Sequence, residues 1–167
     1  MTAGGKRESE VSTRCQVRVE DGQDWSVVTL YHHCDGYPEA MLPVIRHAWE
    51  NACKVDAARR ASWGGTVDGP PWESGRAGKA AAMLCAGDPL GFEVEQGNDL
   101  HGDIEWLYRI DTRGGKWTVG VYRRAGDWSV TPTLSSVERV GEWVASEPLT
   151  DAVRKTIGCE EWCEVTA

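Results

Sequence analysis

The sequence has no long apolar run and comparatively little positive charge. Its apolar residues occur in short groups, whereas a membrane-spanning helix needs about 20 in succession. Lys and Arg number 18 against 26 Asp and Glu, which gives a formal net charge of -8. Proteins that bind nucleic acid through its phosphates present clustered basic side chains. The composition therefore argues against a membrane protein and against a general binder of the nucleic-acid backbone, and it leaves open a basic protein partner.

The first residues lack the apolar segment of a secretory signal peptide. The sequence contains 6 cysteines, which we interpret as reduced thiols rather than disulfides because no such signal is present. We therefore expect a cytoplasmic protein, with residues 1–11 as a disordered leader and residues 12–167 as a single domain.

Hydrophobic periodicity predicts two groups of β-strands. Alternation over residues 12–20 and a β-rich segment at 25–33 predict an N-terminal hairpin. A short strand is expected at 92–95. Alternation and turn residues then predict a three-stranded C-terminal meander. Its strands are assigned to residues 104–110, 117–121 and 128–130.

Two segments between these groups have apolar residues at helical spacing. The first helix should begin near Leu42, because Pro43 fits only in a first turn, and should end near Arg60. The second is expected at residues 76–86. Later in the chain, the valines at 137, 140 and 144 favour a helix or an irregular arm, and residues 149–157 a short terminal helix.

The order of these elements predicts an α+β fold. The antiparallel sheet would consist of the N-terminal hairpin and the C-terminal meander, with the two main helices packed on one face.

The densest group of chemically active side chains lies where the second strand ends. Tyr31, His33 and Asp35 should share one face of that strand, and Tyr37 follows in a turn. A second group, His101, Asp103 and Glu105, has the same alternation. If the two strands are neighbours, we expect a shared binding site.

This pair of motifs allows three interpretations. His33, Asp35, His101 and Asp103 could bind a divalent transition metal such as zinc, manganese or iron. Without a metal, His33 could act as a general base oriented by Asp35. Alternatively, the first motif is a structural corner in which Asp35 caps a turn.

Tryptophan is abundant, with 9 residues against 1 Phe. Trp63 and Trp72 lie in a Gly/Pro-rich segment and could stack on a base or a sugar. The alternative is that they form a lid over the core.

Three motifs resemble those of small bacteriophage and prophage proteins of unsettled function. They are Ser-Thr-Arg at residues 12–14, Tyr-x-His-x-Asp-Gly-Tyr-Pro at 31–38, and Gly-Asp-Ile-Glu-Trp-x-Tyr at 102–108. Two features depart from that pattern: Cys34 stands where Trp is usual, and a leader precedes Ser12. The resemblance implies a phage or mobile-element setting in the cytoplasm of a bacterial host.

Two functional hypotheses follow. The first is a binding protein that engages a host protein or another host component, or a small nucleotide-like ligand, with counter-defence as one form of this role. The alternative is a metal-assisted hydrolase or nuclease that uses His33, Asp35, His101 and Asp103. Both require that the sheet bring residues 33 and 103 close together.

Overall fold

The computed structural model describes residues 13–21, 27–62, 76–87, 91–95, 97, 99–113, 116–151, 153 and 157. The predicted leader at 1–11 and the segment with Trp63 and Trp72 lie outside the described residues. No helix within the described part of the chain is long and apolar enough to cross a membrane.

Six strands form one sheet, and two helices are present in the described part of the chain. The strands are β1 (Cys15–Glu20), β2 (Val28–His32), β3 (Phe92–Val94), β4 (Trp106–Asp111), β5 (Thr118–Arg124) and β6 (Val137–Val144). The helices are α1 (Pro38–Ser62) and α2 (Arg76–Gly87). The strand order is β3-β2-β1-β4-β5-β6. These elements confirm the predicted α+β class.

All neighbouring strands are antiparallel except the central pair, β1 and β4. The two pair in parallel with Cys15 opposite Trp106 and Val19 opposite Ile110. This pair joins the predicted hairpin to the predicted meander, so the sheet is mostly rather than wholly antiparallel.

Both helices cover one face of this sheet. Alternate residues of β1 and β4 point toward them, including Val17 and Tyr108, and are fully buried. The helices contribute Ile45 and Leu84, also fully buried, from the predicted apolar stripes. Burial of these side chains drives the packing of helix on sheet. We call the other side of the sheet the open face.

The first helix begins earlier than predicted. It begins at Pro38, a position that suits proline because the first helical N–H has no partner in the helix. The main-chain oxygen of Tyr37 accepts hydrogen bonds from the nitrogens of Ala40 at 3.1 Å and Met41 at 3.0 Å. Pro43 therefore lies inside the helix, on its exposed side. There, water can hydrogen-bond to the carbonyl that loses its helical donor.

The third strand of the meander is also not where we predicted it. Residues 128–130 form a turn, and the strand is β6, in the region assigned to a helix or an irregular arm. A register shift between Val121 and Tyr122 inserts one extra residue in β6. It places Val140 with the main core and Val137 on the open face. Val137 and Val140 are three residues apart in the sequence, a spacing that is also typical of one face of a helix. This is why the sequence favoured a helix in this region.

The predicted helix at 149–157 lies partly outside the described residues. Ile157 is buried, and its main-chain nitrogen donates to the oxygen of Val153 at 3.1 Å.

Candidate functional site

Residues 99–105 cross the open face and form a second apolar cluster there. Leu100 and Ile104 of this segment pack with Tyr31 of β2 and Leu107 of β4, and all four are buried. Turn residues at 102–103 interrupt the segment, and β4 begins only at Trp106. The crossing segment therefore covers the middle of the sheet and carries His101 and Asp103 onto Tyr31.

Gln16 holds this segment in place. Its side chain is fully buried on the open face of β1. Its Nε2 donates to the oxygen of Asp99 at 3.3 Å, and its Oε1 accepts from the nitrogen of His101 at 3.0 Å. A buried amide is costly unless both its donor and its acceptor are used. These two hydrogen bonds use both groups of the amide and fix the position of the His101 main chain.

Tyr31 is the centre of the site. Its hydroxyl donates to Asp103 Oδ2 at 2.9 Å, and Arg14 Nη1 donates to the same oxygen at 2.6 Å. Burial, followed by the hydrogen bond to Asp103, raises the pKa of Tyr31 to about 12. The phenol therefore keeps its proton at neutral pH and acts as a hydrogen-bond donor.

Two histidines flank the Tyr31 ring. His101 stacks on it with ring centroids 4.3 Å apart, and His33 meets it edge-on at 4.6 Å. Each imidazole also reaches a carboxylate: Nε2 of His33 lies 3.0 Å from Glu93 Oε1, and Nε2 of His101 lies 2.9 Å from Glu95 Oε1. Both rings are thus held in one orientation while the His33 side chain stays 53% exposed and that of His101 38%.

We define the Tyr31 cluster as this group of side chains. Its members are Arg14, Tyr31, His33, Glu93, Glu95, His101 and Asp103. Three carboxylates against one guanidinium leave the cluster net negative when both imidazoles are neutral. Four separate segments of the chain contribute to it, because β1 lies beside β2, β2 lies beside β3, and residues 99–105 cross them.

Asp35 does not join His33 as predicted. The strand ends at His32, and Asp35 has a left-handed backbone with φ of 52°. This conformation breaks the alternation that would have placed both side chains on one face. Asp35 instead lines a cavity of about 300 Å³ near the start of α1, together with Cys34 and Met41.

The residues after Asp35 form a tightly packed corner. A Cβ on Gly36 would lie 2.8 Å from both the Cβ and the nitrogen of Cys15, so only glycine fits. The Tyr108 hydroxyl donates to the Gly36 oxygen at 2.8 Å. Tyr37, predicted as a binding residue, packs against the main core, and burial followed by Asp35 and Glu39 raises its pKa. These contacts favour the structural interpretation for residues 35–37.

The predicted metal site is not assembled. Among the residues that the structure describes, no group of three or more His, Cys, Asp or Glu side chains is arranged to hold a metal ion. The reason is local: His33 and His101 turn to Glu93 and Glu95, and Asp103 turns to Arg14 and Tyr31. Asp35 lines the cavity near the start of α1, which none of the other three predicted ligands lines.

Glu105 also departs from its predicted face. The turn at 102–103 separates it from His101, and its carboxylate lies 3.8 Å from Arg123 Nη2. His101 Nδ1 and Asp103 Oδ1 remain 4.0 Å apart, so those two predicted partners do converge.

Sequence reasoning missed three members of the cluster. The sequence places Arg14 only in a predicted strand and in the Ser-Thr-Arg motif, and Glu93 and Glu95 only in a short predicted strand. The available signal was the alternation of Glu93 and Glu95, which matches that of Tyr31 and His33. Their pairing is direct, since Tyr31 lies opposite Glu93 in the register of β2 and β3.

An exposed tryptophan borders the cluster. Trp128 is 55% exposed, and its ring lies 4.2 Å from the guanidinium carbon of Arg124, which is 6% exposed. Nη2 of Arg124 donates to the oxygens of Trp128 at 3.2 Å and Val130 at 2.7 Å, and Nη1 donates to that of Gly102. Because Gly102 separates His101 from Asp103, Arg124 ties the Trp128 turn to the Tyr31 cluster.

No protein-family model, curated protein or solved structure matches this chain. Function is therefore inferred from the residues of the site and their geometry.

Proposed function

We propose that this chain is a phage- or mobile-element-type binding protein that engages a host protein through the Tyr31 cluster. The observation that carries the proposal is the pair of half-exposed imidazoles held on either side of Tyr31 by Glu93 and Glu95. Fixed, partly exposed rings lose little conformational entropy on binding. The motifs at residues 12–14, 31–38 and 102–108 support the phage setting, and interference with a host defence is one form of the role.

The same contacts favour recognition over catalysis. The raised pKa of Tyr31 makes its phenol a weak acid at neutral pH. Both histidine Nε2 atoms face carboxylates of their own chain. A metal-assisted hydrolase would need His33, Asp35, His101 and Asp103 around one point, and these side chains are divided between two sites.

Charge and shape favour a protein over a nucleotide-like ligand. When both imidazoles are neutral, the cluster has a net negative charge, which repels phosphate groups. Small-molecule sites are usually concave. The cavity of about 300 Å³ is lined by residues such as Cys34 and Asp35 and by no member of the Tyr31 cluster.

Trp128 extends the proposed surface with an apolar element. Val130 and Leu134 in the same connection between β5 and β6 are exposed as well. Tryptophan is enriched among the residues that dominate binding energy at protein interfaces. The proposed interface thus has a polar part, the Tyr31 cluster, beside an apolar part around Trp128.

Site-specific photocrosslinking tests this proposal. Thr131 is exposed, and its Oγ1 lies 3.8 Å from the Cβ position of Gly102, so a photocrosslinking amino acid at 131 leaves the cluster itself unchanged. The same amino acid at the exposed position 138 on β6 is the matched control. We expect a host protein to be captured from 131 and not from 138, and captured less when His101→Ala and Trp128→Ala are combined in the probe.

The captured protein is then purified and its affinity measured. Tight binding by the unmodified chain that weakens in the double variant supports the proposal. Identical capture from 131 and 138, or no capture from 131 in the lysate of a bacterial host, contradicts it.

A further inference from the structure

The negative charge of the Tyr31 cluster is concentrated on β3. Asp103 is neutralised by Arg14 at 2.6 Å. Within the described part of the chain, Glu93 and Glu95 pair with imidazoles and not with an arginine or a lysine. Glu93 lies in β3, and Glu95 directly follows it, where its main-chain nitrogen still donates to the oxygen of Thr29 at 2.8 Å. At this extended spacing the two side chains start about 6 to 7 Å apart on the same face.

The charge changes sign farther along the open face. There, Glu20 accepts hydrogen bonds from both Arg18 and Arg109, at 2.7 and 2.9 Å to the same oxygen. Two guanidiniums on one carboxylate leave a local excess of positive charge. Arginines therefore offset Glu20 at this end of the face, whereas Glu93 and Glu95 lie at the other end and contact histidines.

Both glutamates keep the capacity to bind another donor. Each histidine contact involves Oε1, and a carboxylate offers about four acceptor positions in total. A guanidinium has five N–H donors in a planar fork and can bond to two carboxylates at once. The spacing of Glu93 and Glu95 suits a guanidinium placed between them.

β3 is an edge strand. It ends the strand order, and no other described strand pairs with its outer side. The main-chain groups on such an edge can hydrogen-bond to an extended segment of another protein. A segment lying there would have alternate side chains directed to the same face as Glu93 and Glu95.

We propose that Glu93 and Glu95 select a basic, extended segment of the partner protein, with an arginine or lysine side chain bound between the two carboxylates. This inference rests on the proposed function and specifies the partner. The overall net charge of -8 adds long-range attraction for such a segment. Arginine should bind better than lysine because its fork reaches both carboxylates.

The test uses a peptide of alternating arginine and threonine as the probe. NMR of the imidazole resonances reports binding, since His33 and His101 contact the two glutamates. We expect these resonances to shift in the unmodified protein and the affinity to fall roughly tenfold for each of Glu93→Gln and Glu95→Gln. Glu138→Gln, which removes the same charge at the other edge of the sheet, should leave the affinity unchanged.

Two results would overturn the inference. One is equal weakening by Glu93→Gln and Glu138→Gln, which would show nonspecific attraction to an acidic protein. The other is a shift of the same resonances by the matching peptide of glutamate and threonine, or by ATP, and not by the arginine peptide. A shift by the glutamate peptide would leave the proposed function standing with a different partner chemistry, whereas a shift by ATP alone would also contradict the choice of a protein over a nucleotide-like ligand. Loss of both the peptide shift and the crosslink at 131 would remove the inference and the proposed function together.

Discussion

The hydroxyl of Tyr31 donates a hydrogen bond of 2.9 Å to Asp103, a residue 72 positions later in the chain. This bond connects β2 to the segment that crosses the open face. The same Asp103 oxygen also accepts from Arg14, so a single carboxylate joins three parts of the sequence. The site consequently depends on the tertiary fold, and its stability should respond to pH and to substitution in ways that a local motif would not.

The alkaline limb of the stability curve should depend on Tyr31. Burial first, and then Asp103, raise its pKa from 10.0 to about 12 in the folded protein. Because the folded pKa is raised, this stabilisation is complete below about pH 10 and is lost as the pH rises through about 12. Tyr31→Phe should remove this dependence, which amounts to roughly 2 to 3 kcal/mol.

Urea unfolding at a series of alkaline pH values, with tyrosinate formation followed by ultraviolet absorbance, provides the measurement. The difference between the unmodified protein and Tyr31→Phe cancels the titration of lysines and of the other tyrosines. If both proteins lose stability in parallel between about pH 10 and 12, the titration of Tyr31 does not account for the alkaline limb of the curve.

Gln16→Met should loosen the segment at 99–105. Methionine has a similar length but cannot bond to Asp99 or His101, so two partly buried main-chain groups lose their partner. We expect a loss of about 2 kcal/mol in the free energy of unfolding. Hydrogen exchange should become faster at residues 99–105 and stay unchanged in β5 and β6. Uniformly faster exchange would instead mean that the substitution weakens the whole sheet.

Two glycines should respond oppositely to alanine. At Gly36 a Cβ would lie 2.8 Å from main-chain and side-chain atoms of Cys15, so Gly36→Ala should cost about 1 to 3 kcal/mol. At Gly78, inside α2, nothing lies within 4 Å of the added Cβ, and Gly78→Ala should stabilise the protein by roughly 0.5 to 1 kcal/mol. Thermal unfolding of both variants decides; a rise in Tm for Gly36→Ala would contradict the close packing of the corner.

Arg124→Lys should reduce the free energy of unfolding more than Arg123→Lys. Arg124 is buried and serves three main-chain oxygens, which a lysine cannot reach together. We expect a loss of about 2 kcal/mol and faster proteolysis of the turn at Trp128. Arg123→Lys is the matched control, because that side chain is largely exposed and lies 3.8 Å from Glu105. It should change stability by less than about 0.5 kcal/mol.

Trp128→Ala completes this comparison. The exposed indole contributes little to the core, so stability should fall by less than about 1 kcal/mol. Binding of the host protein proposed above should weaken markedly, since tryptophans often dominate interface energies. Calorimetric titration with that partner separates the two effects. A variant that unfolds as readily as Arg124→Lys would show that Trp128 is structural.

Part of the site followed from alternation alone. Tyr31 and His33 were predicted to share a face, and in the structure their rings are in contact, with centroids 4.6 Å apart. His101 and Asp103 were predicted to approach them, and they do, although through a crossing segment rather than through a strand. Asp35 was misplaced because a single left-handed residue reverses the direction of its side chain, and alternation cannot anticipate such a residue.

The sequence by itself determined the α+β class, both helices and the residues of β1 and β4 that face the core. These depend on the periodicity of neighbouring residues, a local property. Only the tertiary structure decided that β1 lies between β2 and β4, that β6 contains an extra residue, and that Glu93 and Glu95 meet the two histidines. Strand order and register minimise the free energy of the whole sheet, because each pairing must bury apolar faces and satisfy main-chain groups at the same time, and no short window of sequence contains that information.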